Sequence, residues 1–155
     1  MDFYVYDMNV YLAEYGRSLF FHGGKVANVL SATNIQGLQA SMPANGHIAI
    51  LISHTGENER LVEIAKMLRK NKTKVIVITS KLQGTLAPYA DELLYAAGQK
   101  KVVEFWSSMF FASGKYILDI LYGMEFSRRY EENLKLNKKY EQSGEKLLWG
   151  LIEDL

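Results

Sequence analysis

Two short runs of apolar, mostly β-branched residues constrain the fold of this chain more than any other feature. They are IAILI at Ile48–Ile52 and VIVI at Val75–Ile78, and no polar residue interrupts either run. Continuously apolar strands of this kind are covered on both faces, whereas a strand with one face in water alternates polar and apolar residues. Between the runs, apolar residues recur at helical spacing: Leu61, Ile64, Ala65 and Leu68. The segment therefore predicts two parallel strands joined by a helix in a right-handed crossover.

The same alternation of strand and helix patterns extends on both sides of this segment. Further strands are predicted at Phe3–Tyr6, Val26–Leu30 and Leu93–Ala97. Helices are predicted from Leu12 through Leu19 and Phe20 to a stop near Gly23-Gly24, from Ile35 to Met42, and from about Glu59 to Asn71. Alternating strands and helices with short connections are typical of an α/β fold, in which helices cover both faces of a parallel sheet.

The segment after Gly98 has a different character, because its pattern is helical throughout. Apolar residues spaced by three or four predict one long helix from Val102 to about Tyr140. Its charged end, SRRYEENLKLNKKYEQ, is interpreted as a solvated helix end with ion pairs between neighbouring turns, since acidic residues balance much of its positive charge. Ser143-Gly144 is expected to break the helix. We therefore predict one domain over residues 1–140 and an amphipathic tail over residues 141–155.

Composition excludes several classes of protein and site. A net charge of +1 offers no general attraction for nucleic acid or anionic lipid, so recognition of an anion must be local. Without cysteine the chain has no disulfides or thiolate zinc sites, and no other metal or cofactor site is predicted. No apolar run approaches the roughly 20 residues needed to cross a bilayer, and the N-terminus MDFYVYDMN lacks the features of a signal peptide. We expect a soluble, cytoplasmic protein without a membrane partner.

The loop after the first apolar run has the composition of an anion site. It contains Ser53, His54, Thr55 and Gly56, and Asn58 then stands where it can cap the following helix. In an open parallel sheet, ligands bind at the carboxyl ends of the strands. Hydroxyl groups, a glycine that allows a tight turn and the unpaired amides of a helix N-terminus together suit phosphate. The motif alone does not decide, because an ordinary turn between a strand and a helix contains the same residue types.

A longer stretch resembles the core of a SIS (sugar isomerase) domain: ISHTGENERLVEIAKMLRKNKTKVIVITSKLQGTLAPYADELLYAA. The pattern of that family is a strand, S-x-S/T-G-x-T, a helix, a strand that ends near Thr-Ser, and a segment of the form pLa..aD..L. The matching positions are Ser53, Thr55 and Gly56, then Ile78-Thr79-Ser80, then Leu86-Ala87 through Ala90-Asp91. The later GKYILDILYGMEFSRRYEENLKLNKKY is similar to the closing helix of SIS domains in RpiR-type transcriptional regulators of bacterial sugar metabolism. The resemblance extends from about Phe3 to Tyr140.

The resemblance implies both a fold and a ligand. The fold would be a three-layer α-β-α sandwich around a five-stranded parallel sheet of flavodoxin-like order, 2-1-3-4-5, with a long C-terminal helix. Domains of this family bind phosphorylated sugars and form oligomers, here a dimer or a tetramer. By resemblance, Ser53 and Thr55 would contact phosphate, and Asn58 would take the place of the usual threonine. Ser80 would be a weaker sugar contact, and His54 would stack on the ligand or hydrogen-bond to it.

The turn after the first predicted strand departs from the family pattern. Where SIS domains have a glycine-rich turn, G-x-G-x-S, this chain has Asp7-Met8-Asn9-Val10-Tyr11. Asp7 brings a carboxylate towards the site, and two like charges about 4 Å apart repel by about 1 kcal/mol even in water. Asp7 therefore points away, bonds sugar hydroxyls, or marks a pocket that no longer takes a standard phosphosugar. Asp7 and Asn9 are candidate ligand contacts.

Catalysis by this domain is not expected. Ketose–aldose isomerisation needs a base beside the substrate carbon, and the candidates near the loop are His54, Glu57 and His22. Each has a simpler explanation. His54 is a ligand contact, Glu57 interacts favourably with a helix dipole, and His22 is a residue at the end of a helix. The leading hypothesis is a sensor domain that binds a phosphorylated sugar without turnover. The alternatives are a phosphosugar isomerase and a degenerate SIS domain that serves only for dimerisation.

DNA binding and self-association complete the expectations. RpiR-type regulators carry a helix-turn-helix domain ahead of the SIS domain, and the first predicted strand here begins two residues into the chain. The chain is therefore expected to be the excised effector domain of a regulator, or else a stand-alone module, and to reach DNA only through a helix-turn-helix domain that it lacks. Aromatic residues around much of the long helix favour a homodimer: Phe105, Trp106, Phe110, Phe111, Tyr116 and Tyr122.

Overall fold

A computed structural model describes residues 1–98 and 106–153 of the protein. The strands are β1 (Asp2–Val5), β2 (Asn28–Leu30), β3 (Ile48–Ile52), β4 (Lys74–Thr79) and β5 (Glu92–Tyr95). The helices are α1 (Asn9–His22), α2 (Thr33–Ser41), α3 (Glu59–Lys70), α4 (Trp106–Arg128) and α5 (Tyr130–Glu153), with a single 3-10 turn at Ala87–Tyr89. The strands form one parallel sheet in the order β2-β1-β3-β4-β5. This order and the two helical layers confirm the predicted α/β fold.

The sheet has a separate hydrophobic core on each face. On one face, α1 and α4 cover Phe3, and Leu12 and Leu118 are fully buried in the same cluster. On the other face, α2 and α3 cover Tyr4, which belongs to one cluster with Leu61. Successive residues of a strand point to opposite faces, so the central strands supply alternate side chains to the two cores. This division explains why β3 is apolar at every position.

The neighbouring strands β1 and β3 are followed by helices that lie on opposite faces of the sheet. The helix after β1, α1, packs on the same face as α4, whereas the helix after β3, α3, packs on the same face as α2. The change of face opens a crevice at the carboxyl ends of β1 and β3, which is where open α/β sheets bind ligands. The loops at residues 6–8 and 53–58 border this crevice.

The C-terminal region differs from the prediction of one helix followed by a tail. Only Arg129 separates α4 from α5, and the buried Asn133 donates its Nδ2 hydrogen to the carbonyl oxygen of Phe126 across this junction, at 3.1 Å. The predicted break at Ser143-Gly144 is wrong, because α5 continues through both residues. A glycine inside a helix costs only about 1 kcal/mol, which the helix-forming residues on either side offset.

The charged stretch at the start of α5 is mostly exposed, as predicted, with an ion pair between Arg129 and Glu132 at 3.8 Å. The ring of Tyr140 meets the ring of Phe21 edge-on, with centroids 5.6 Å apart, so α5 also contacts the end of α1. The predicted interface residue Phe105, the side chain of Trp106 and the side chains of the predicted tail from residue 145 onward lie outside the described residues. In the described part of the chain, no helix combines the length and apolar character that crossing a bilayer requires.

Asp91, the aspartate of the SIS-like segment, joins three parts of the fold. One carboxylate oxygen accepts a hydrogen bond from the amide of Val75, at the start of β4, at 2.8 Å, and the other pairs with Arg69 in the last turn of α3. The Val75 amide, followed by Arg69, lowers the pKa of Asp91 below its ordinary value of 3.8. We expect Asp91→Ala to lower the free energy of unfolding at neutral pH by about 1–3 kcal/mol, because the buried Val75 amide loses its acceptor.

The measurement is how the difference in free energy of unfolding between wild type and Asp91→Ala depends on pH. A carboxylate whose pKa is lowered in the folded protein stabilises it fully above the ordinary value of 3.8, and that contribution is lost as the pH falls through the folded value. Urea titrations of wild type and Asp91→Ala should differ by a constant amount down to about pH 5 and converge in stronger acid. The exposed neighbour Glu92→Ala is the matched control. A gap between wild type and Asp91→Ala that persists unchanged in strong acid would contradict the assignment.

Candidate functional site

The loop after β3 is shaped by its own side chains. Ser53 is buried; its amide donates to the carbonyl oxygen of Ile78 at 3.0 Å, and its Oγ accepts from the amide of Gly56 at 3.2 Å. Gly56 has a left-handed backbone with a φ of +67°, a conformation that glycine adopts without the strain of a Cβ. Asn58 caps α3, as its position predicts, because its Oδ1 accepts from the amide of Leu61 at 3.1 Å. The tight turn predicted from the sequence is therefore present.

The N-terminus of α3 presents backbone amides at this loop. Among the residues that the structure describes, the amides of Thr55, Asn58 and Glu59 donate to no acceptor. The exposed Thr55 hydroxyl lies beside them and accepts from the amide of Glu57 at 3.3 Å. Unpaired amides and the helix macrodipole together place a partial positive charge of about half an elementary charge at such a terminus. The arrangement suits an anion.

A second loop, residues 80–86 after β4, holds the first loop in place. The carbonyl oxygen of His54 accepts from the amide of Ser80 at 3.0 Å, from its hydroxyl at 2.7 Å, and from the hydroxyl of Thr79 at 3.2 Å. The carbonyl oxygen of Gly56 accepts from the amide of Leu86 at 3.0 Å. Ser80, predicted as a sugar contact, thus directs its hydroxyl hydrogen at the backbone of the first loop.

Glu57 connects the same two loops through its side chain. Its carboxylate accepts from Nζ of Lys81 at 2.5 Å, from the hydroxyl of Thr85, and from the amide of Thr85 at 3.3 Å. The hydrogen bond from Lys81, and then the one from the Thr85 side chain, lower the pKa of Glu57 to about 2. A general base works best with a pKa near the operating pH. This carboxylate is therefore ionised and bonded within the loops, which does not suit a catalytic base.

The turn after β1 differs in sequence from the glycine-rich turn of SIS domains, but one of its residues still adopts a left-handed backbone conformation. Asp7 has a φ of +54°, and aspartate is one of the few residues besides glycine that visit this region routinely. The amide of Asn9 donates to the carbonyl oxygen of Tyr6 at 3.2 Å, and its side-chain Nδ2 donates to that of Ile52 at 3.4 Å. Asn9 therefore connects the start of α1 to the end of β3.

A cleft of about 770 Å³ opens between this turn and the first turns of α4. The turn and α1 contribute Asp7, Met8, Asn9 and Tyr11; α4 contributes Ser107, Ser108, Phe110, Phe111, Ala112 and Lys115. His54 completes the lining. Its ring stacks on that of Phe110, with centroids 4.5 Å apart and planes 28° apart, and its Nε2 lies 3.2 Å from the carbonyl oxygen of Gly98. Because His54 stands between Ser53 and Thr55 in sequence, the cleft adjoins the loop after β3.

The structure divides the predicted site residues into two adjoining groups. The loop group is Ser53, Thr55, Gly56 and Asn58, with Ser80 bonded to it. The cleft group is Asp7, Asn9 and His54. His22 belongs to neither group, since it ends α1, about 20 Å from Asn9 by the rise of a helix. Within residues 1–98 and 106–153, no cluster of three side chains suited to a metal ion is present.

The sequence patterns do not predict that Tyr11, Ser107, Ser108 and Lys115 line the cleft. They favour a dimer interface for Phe110 and Phe111, whereas Phe110 is buried in the core of its own chain and both residues line the cleft. The aromatic stripe was the available signal, but helical spacing alone does not show which side of a helix meets a cleft.

Comparison with known proteins identifies the family. The family model of the SIS domain matches residues 10–113, which is more than half of the chain. The chain belongs to the SIS domain family. A curated relative of this SIS domain is the HTH-type transcriptional regulator HexR of Escherichia coli K12, 39% identical over 46 residues. Those residues are 30% of this chain and 16% of HexR.

Solved structures share the fold of this SIS domain. Vibrio vulnificus NanR, complexed with ManNAc-6P, has a TM-score of 0.80 at 17% identity, over 92% of this chain and 54% of that chain. The sugar isomerase domain of the RpiR transcription factor from Sphaerobacter thermophilus has a TM-score of 0.76 at 12% identity, over 91% and 77%. A function as 3-hexulose-6-phosphate isomerase is inferred for another matching protein, from Methanococcus jannaschii. At these identities the likeness establishes the fold alone, and the chain spans about half of NanR and a smaller share of HexR.

Proposed function

We propose that this SIS domain binds a phosphorylated sugar and senses it for an RpiR-like transcriptional regulator, without turning the sugar over. The observation that carries the proposal is the start of α3, where the amides of Thr55, Asn58 and Glu59 have no acceptor among the described residues. Those amides and the helix dipole favour a dianion such as a phosphate monoester.

The hydroxyl groups of the loop support the same ligand. Ser53 and Thr55 each accept a hydrogen bond from the backbone, from the amides of Gly56 and Glu57 respectively, so their own hydrogens are left to donate. A hydrogen bond to a charged group contributes about 1.5–3 kcal/mol. Asn58 uses its Oδ1 to cap α3, which leaves its Nδ2 as a further donor.

The sugar would extend from the loop past His54 into the cleft. There the carboxylate of Asp7 suits the hydroxyl groups of a sugar, since it accepts hydrogen bonds and they donate. Of the three alternatives for Asp7, we therefore propose that it bonds sugar hydroxyls. Asn9 stands beside it as a second polar contact, and Ser80 acts through the carbonyl group of His54 on the shape of the loop.

The regulatory role is supported by what the relatives are described to be. HexR and the Sphaerobacter thermophilus protein are described as transcriptional regulators, and NanR was solved with a sugar phosphate. In such a regulator, a helix-turn-helix domain contacts DNA in the cytoplasm. A sugar phosphate that binds one arrangement of the SIS domains more tightly would shift the population towards that arrangement.

A phosphosugar isomerase is the second candidate, and the observation that favours it is Asp7, a carboxylate on the wall of the cleft. Two observations weigh against it. The pKa of Glu57 is lowered to about 2 by Lys81 and Thr85. The ring of His54 is stacked on Phe110, and its Nε2 contacts the carbonyl oxygen of Gly98. The sensor without turnover is therefore the function that we propose.

A thermal-shift panel of hexose and pentose phosphates tests the proposal. A ligand at 100 times its Kd adds about 2.7 kcal/mol of stability, so at least one sugar phosphate should raise the unfolding temperature by several degrees. Thr55→Val, which removes one hydroxyl at nearly constant size, should reduce that shift. Thr33→Val is the control: Thr33 is also an exposed threonine, and it is the first residue of α2. Its hydroxyl accepts from the Arg60 side chain at 2.8 Å, so this variant also loses a hydroxyl hydrogen bond, but one outside the loop of residues 53–58.

Two results would replace the proposed function with another. If no sugar phosphate raises the unfolding temperature, the remaining hypothesis is a degenerate SIS domain that serves only for dimerisation. Ketose–aldose conversion that is lost in Asp7→Asn would establish the isomerase.

We further propose that the domain forms a homodimer through an exposed face of α4. The face carries apolar residues at helical spacing: Met109, Tyr116, Ile120 and Met124. Exposed apolar patches mark interfaces, and the SIS resemblance supplies a second copy of the chain as the occupant. We expect Ile120→Glu to convert a dimer to a monomer in light scattering. Leu38→Glu, at a similarly exposed position on α2, should leave the dimer intact; loss of the dimer in that variant alone would contradict the assignment.

A further inference from the structure

The start of α3 carries acidic side chains close to its unpaired amides. Glu57 lies in the loop after β3, and Glu59 is in the first turn of the helix. Arg60 follows, but its Nη1 donates to the hydroxyl of Thr33 on α2 at 2.8 Å, so this guanidinium is engaged at another helix. A dianion at the amides would therefore lie close to two carboxylates, which repel it.

Lys81, in the loop after β4, is a basic residue that the structure places beside this stretch. Its Nζ lies 2.5 Å from the carboxylate of Glu57. Its backbone is also near, because a Cβ built on Gly56 would lie 3.6 Å from the carbonyl oxygen of Lys81. The flexible stem of a lysine allows the ammonium to move within such a short range. Lys81 is not among the positions that match the SIS pattern, so that pattern gives it no role.

The ammonium group of Lys81 can donate to a ligand without leaving Glu57. An ammonium has three hydrogens to donate, and among the residues that the structure describes only the Glu57 carboxylate accepts from this one. The Lys81 side chain is 55% exposed, so a ligand can reach it from solvent. Glu57 also accepts from the amide and the hydroxyl of Thr85, and it therefore stays bonded when Lys81 divides its hydrogens between two acceptors.

Building on the proposed function, we infer that Lys81 contacts the phosphate group directly and makes the site selective for a dianion over a monoanion. Glu57 is a positioning residue, since it holds the ammonium beside the start of α3. The Coulomb attraction of a lysine is proportional to the charge of its ligand. Lys81 therefore contributes about twice as much binding free energy for a dianion as for a monoanion in the same place.

Pairs of ligands that differ in charge but little in shape measure this contribution. The 6-phosphates of glucose, mannose and fructose and the matching 6-sulfates would be titrated calorimetrically at about pH 7.5. There a phosphate monoester, whose second pKa is about 6, is mostly a dianion, whereas a sulfate monoester carries one charge. Weak binding of a sulfate is measured by its competition with the matching phosphate.

Lys81→Met removes the charge and keeps most of the stem. The affinity for a phosphate should fall about tenfold, the low end of the range for hydrogen bonds to charged groups, because Lys81 is exposed. The affinity for the matching sulfate should fall only about threefold, since half the free energy is lost. The ratio of the two affinities therefore falls about threefold. Lys81→Arg retains the charge and should keep the ratio of the wild type.

Lys66→Met is the matched control. Nζ of Lys66 donates to Glu63 at 2.6 Å, and its side chain is 45% exposed, so this variant removes the same charge and a similar surface ion pair. Lys66 lies seven residues after Glu59 on α3, about 10 Å along the helix. That distance exceeds the screening length of about 8 Å at physiological salt. Both affinities and their ratio should therefore remain those of the wild type.

The outcomes separate the role of Lys81 from phosphosugar binding itself. If Lys81→Met lowers both affinities by the same factor, Lys81 only shapes the loop, and the direct contact is wrong while phosphosugar binding stands. The same conclusion follows if Lys81→Met keeps the ratio that Lys66→Met keeps, or if Lys81→Arg loses it. If no sugar phosphate binds the wild type, the proposed function fails, and the role of Lys81 fails with it.

Discussion

Replacing Ser53 with alanine should weaken sugar phosphate binding by about 10- to 100-fold and lower the free energy of unfolding by about 1–3 kcal/mol. The hydroxyl of Ser53, a residue only 4% exposed, accepts from the amide of Gly56 at 3.2 Å. Alanine leaves that buried amide without an acceptor, which accounts for the loss of stability. It also removes one of the two hydroxyl groups that we propose to donate to phosphate, which accounts for the loss of affinity. Denaturant titration and calorimetry measure the two effects separately.

Ser80→Ala is the matched control for this prediction. The Ser80 hydroxyl donates to the carbonyl oxygen of His54, but the same oxygen also accepts from the Ser80 amide and the Thr79 hydroxyl. Alanine therefore removes one of three donors, and we expect a loss of less than about 1 kcal/mol with little change in affinity. A loss of affinity as large as that of Ser53→Ala would show that Ser80 contacts the ligand directly, and would contradict the role that we give it.

The central strands were predicted accurately because burial on both faces leaves a strong pattern. The predicted and observed bounds of β3 are the same, Ile48–Ile52, and β4 extends the predicted Val75–Ile78 by one residue at each end. The edge strand β2 begins at Asn28, two residues later than predicted. Val26 is β-branched and fits a strand pattern, but it is highly exposed and does not pair with β1. An edge strand pairs with a neighbour on one side only. The apolar pattern in its sequence therefore predicts where the strand begins and ends less accurately.

The junction between α4 and α5 illustrates a feature that helical spacing does not reveal. The sequence around Arg129 has good helix formers on both sides, so its pattern continues without a stop. The junction is marked instead by the buried Asn133, whose side chain donates to the carbonyl oxygen of Phe126. A side chain that competes for backbone groups in this way acts through tertiary position, which a periodic pattern does not contain.

The loop chemistry was predictable in outline because it is local. Ser53, Thr55 and Asn58 bond to amides within three residues, so their roles follow from a strand, a turn and a helix start. The role of Glu57 was not predictable, because its partners Lys81 and Thr85 lie 24 and 28 positions further along the chain.

The same distinction applies to the turn after β1. The lost glycines suggested a changed site, whereas aspartate at position 7 adopts the left-handed backbone itself. The cleft depends on even longer separations, since α4 faces this turn from about 100 residues later in the sequence. Local patterns therefore indicated the loop at which we propose that an anion binds, and tertiary structure determined what lies next to that loop.

Gly56→Ala should lower the free energy of unfolding by about 2–3 kcal/mol and also weaken sugar phosphate binding. The left-handed backbone at φ +67° costs an alanine about 1–2 kcal/mol. The added Cβ would lie 3.2 Å from the hydroxyl oxygen of Thr79 and 3.6 Å from the carbonyl oxygen of Lys81. Relief of that contact moves the Thr79 hydroxyl away from the carbonyl oxygen of His54, at a further cost of about 1 kcal/mol. The displaced loop no longer presents its amides to a phosphate in the same geometry.

Gly46→Ala separates the two causes, because Gly46 has a similar φ of +73° and an added Cβ there meets no atom within 4 Å. That variant should show only the conformational cost, about 1–2 kcal/mol, and should retain its affinity for sugar phosphate. The difference between the two variants, measured by denaturant titration, is then the cost of the contacts that the added Cβ makes with Thr79 and Lys81 at the end of β4. Equal losses of stability in the two variants, with affinity unchanged in both, would mean that a Cβ at position 56 does not displace the loop, and would contradict this prediction.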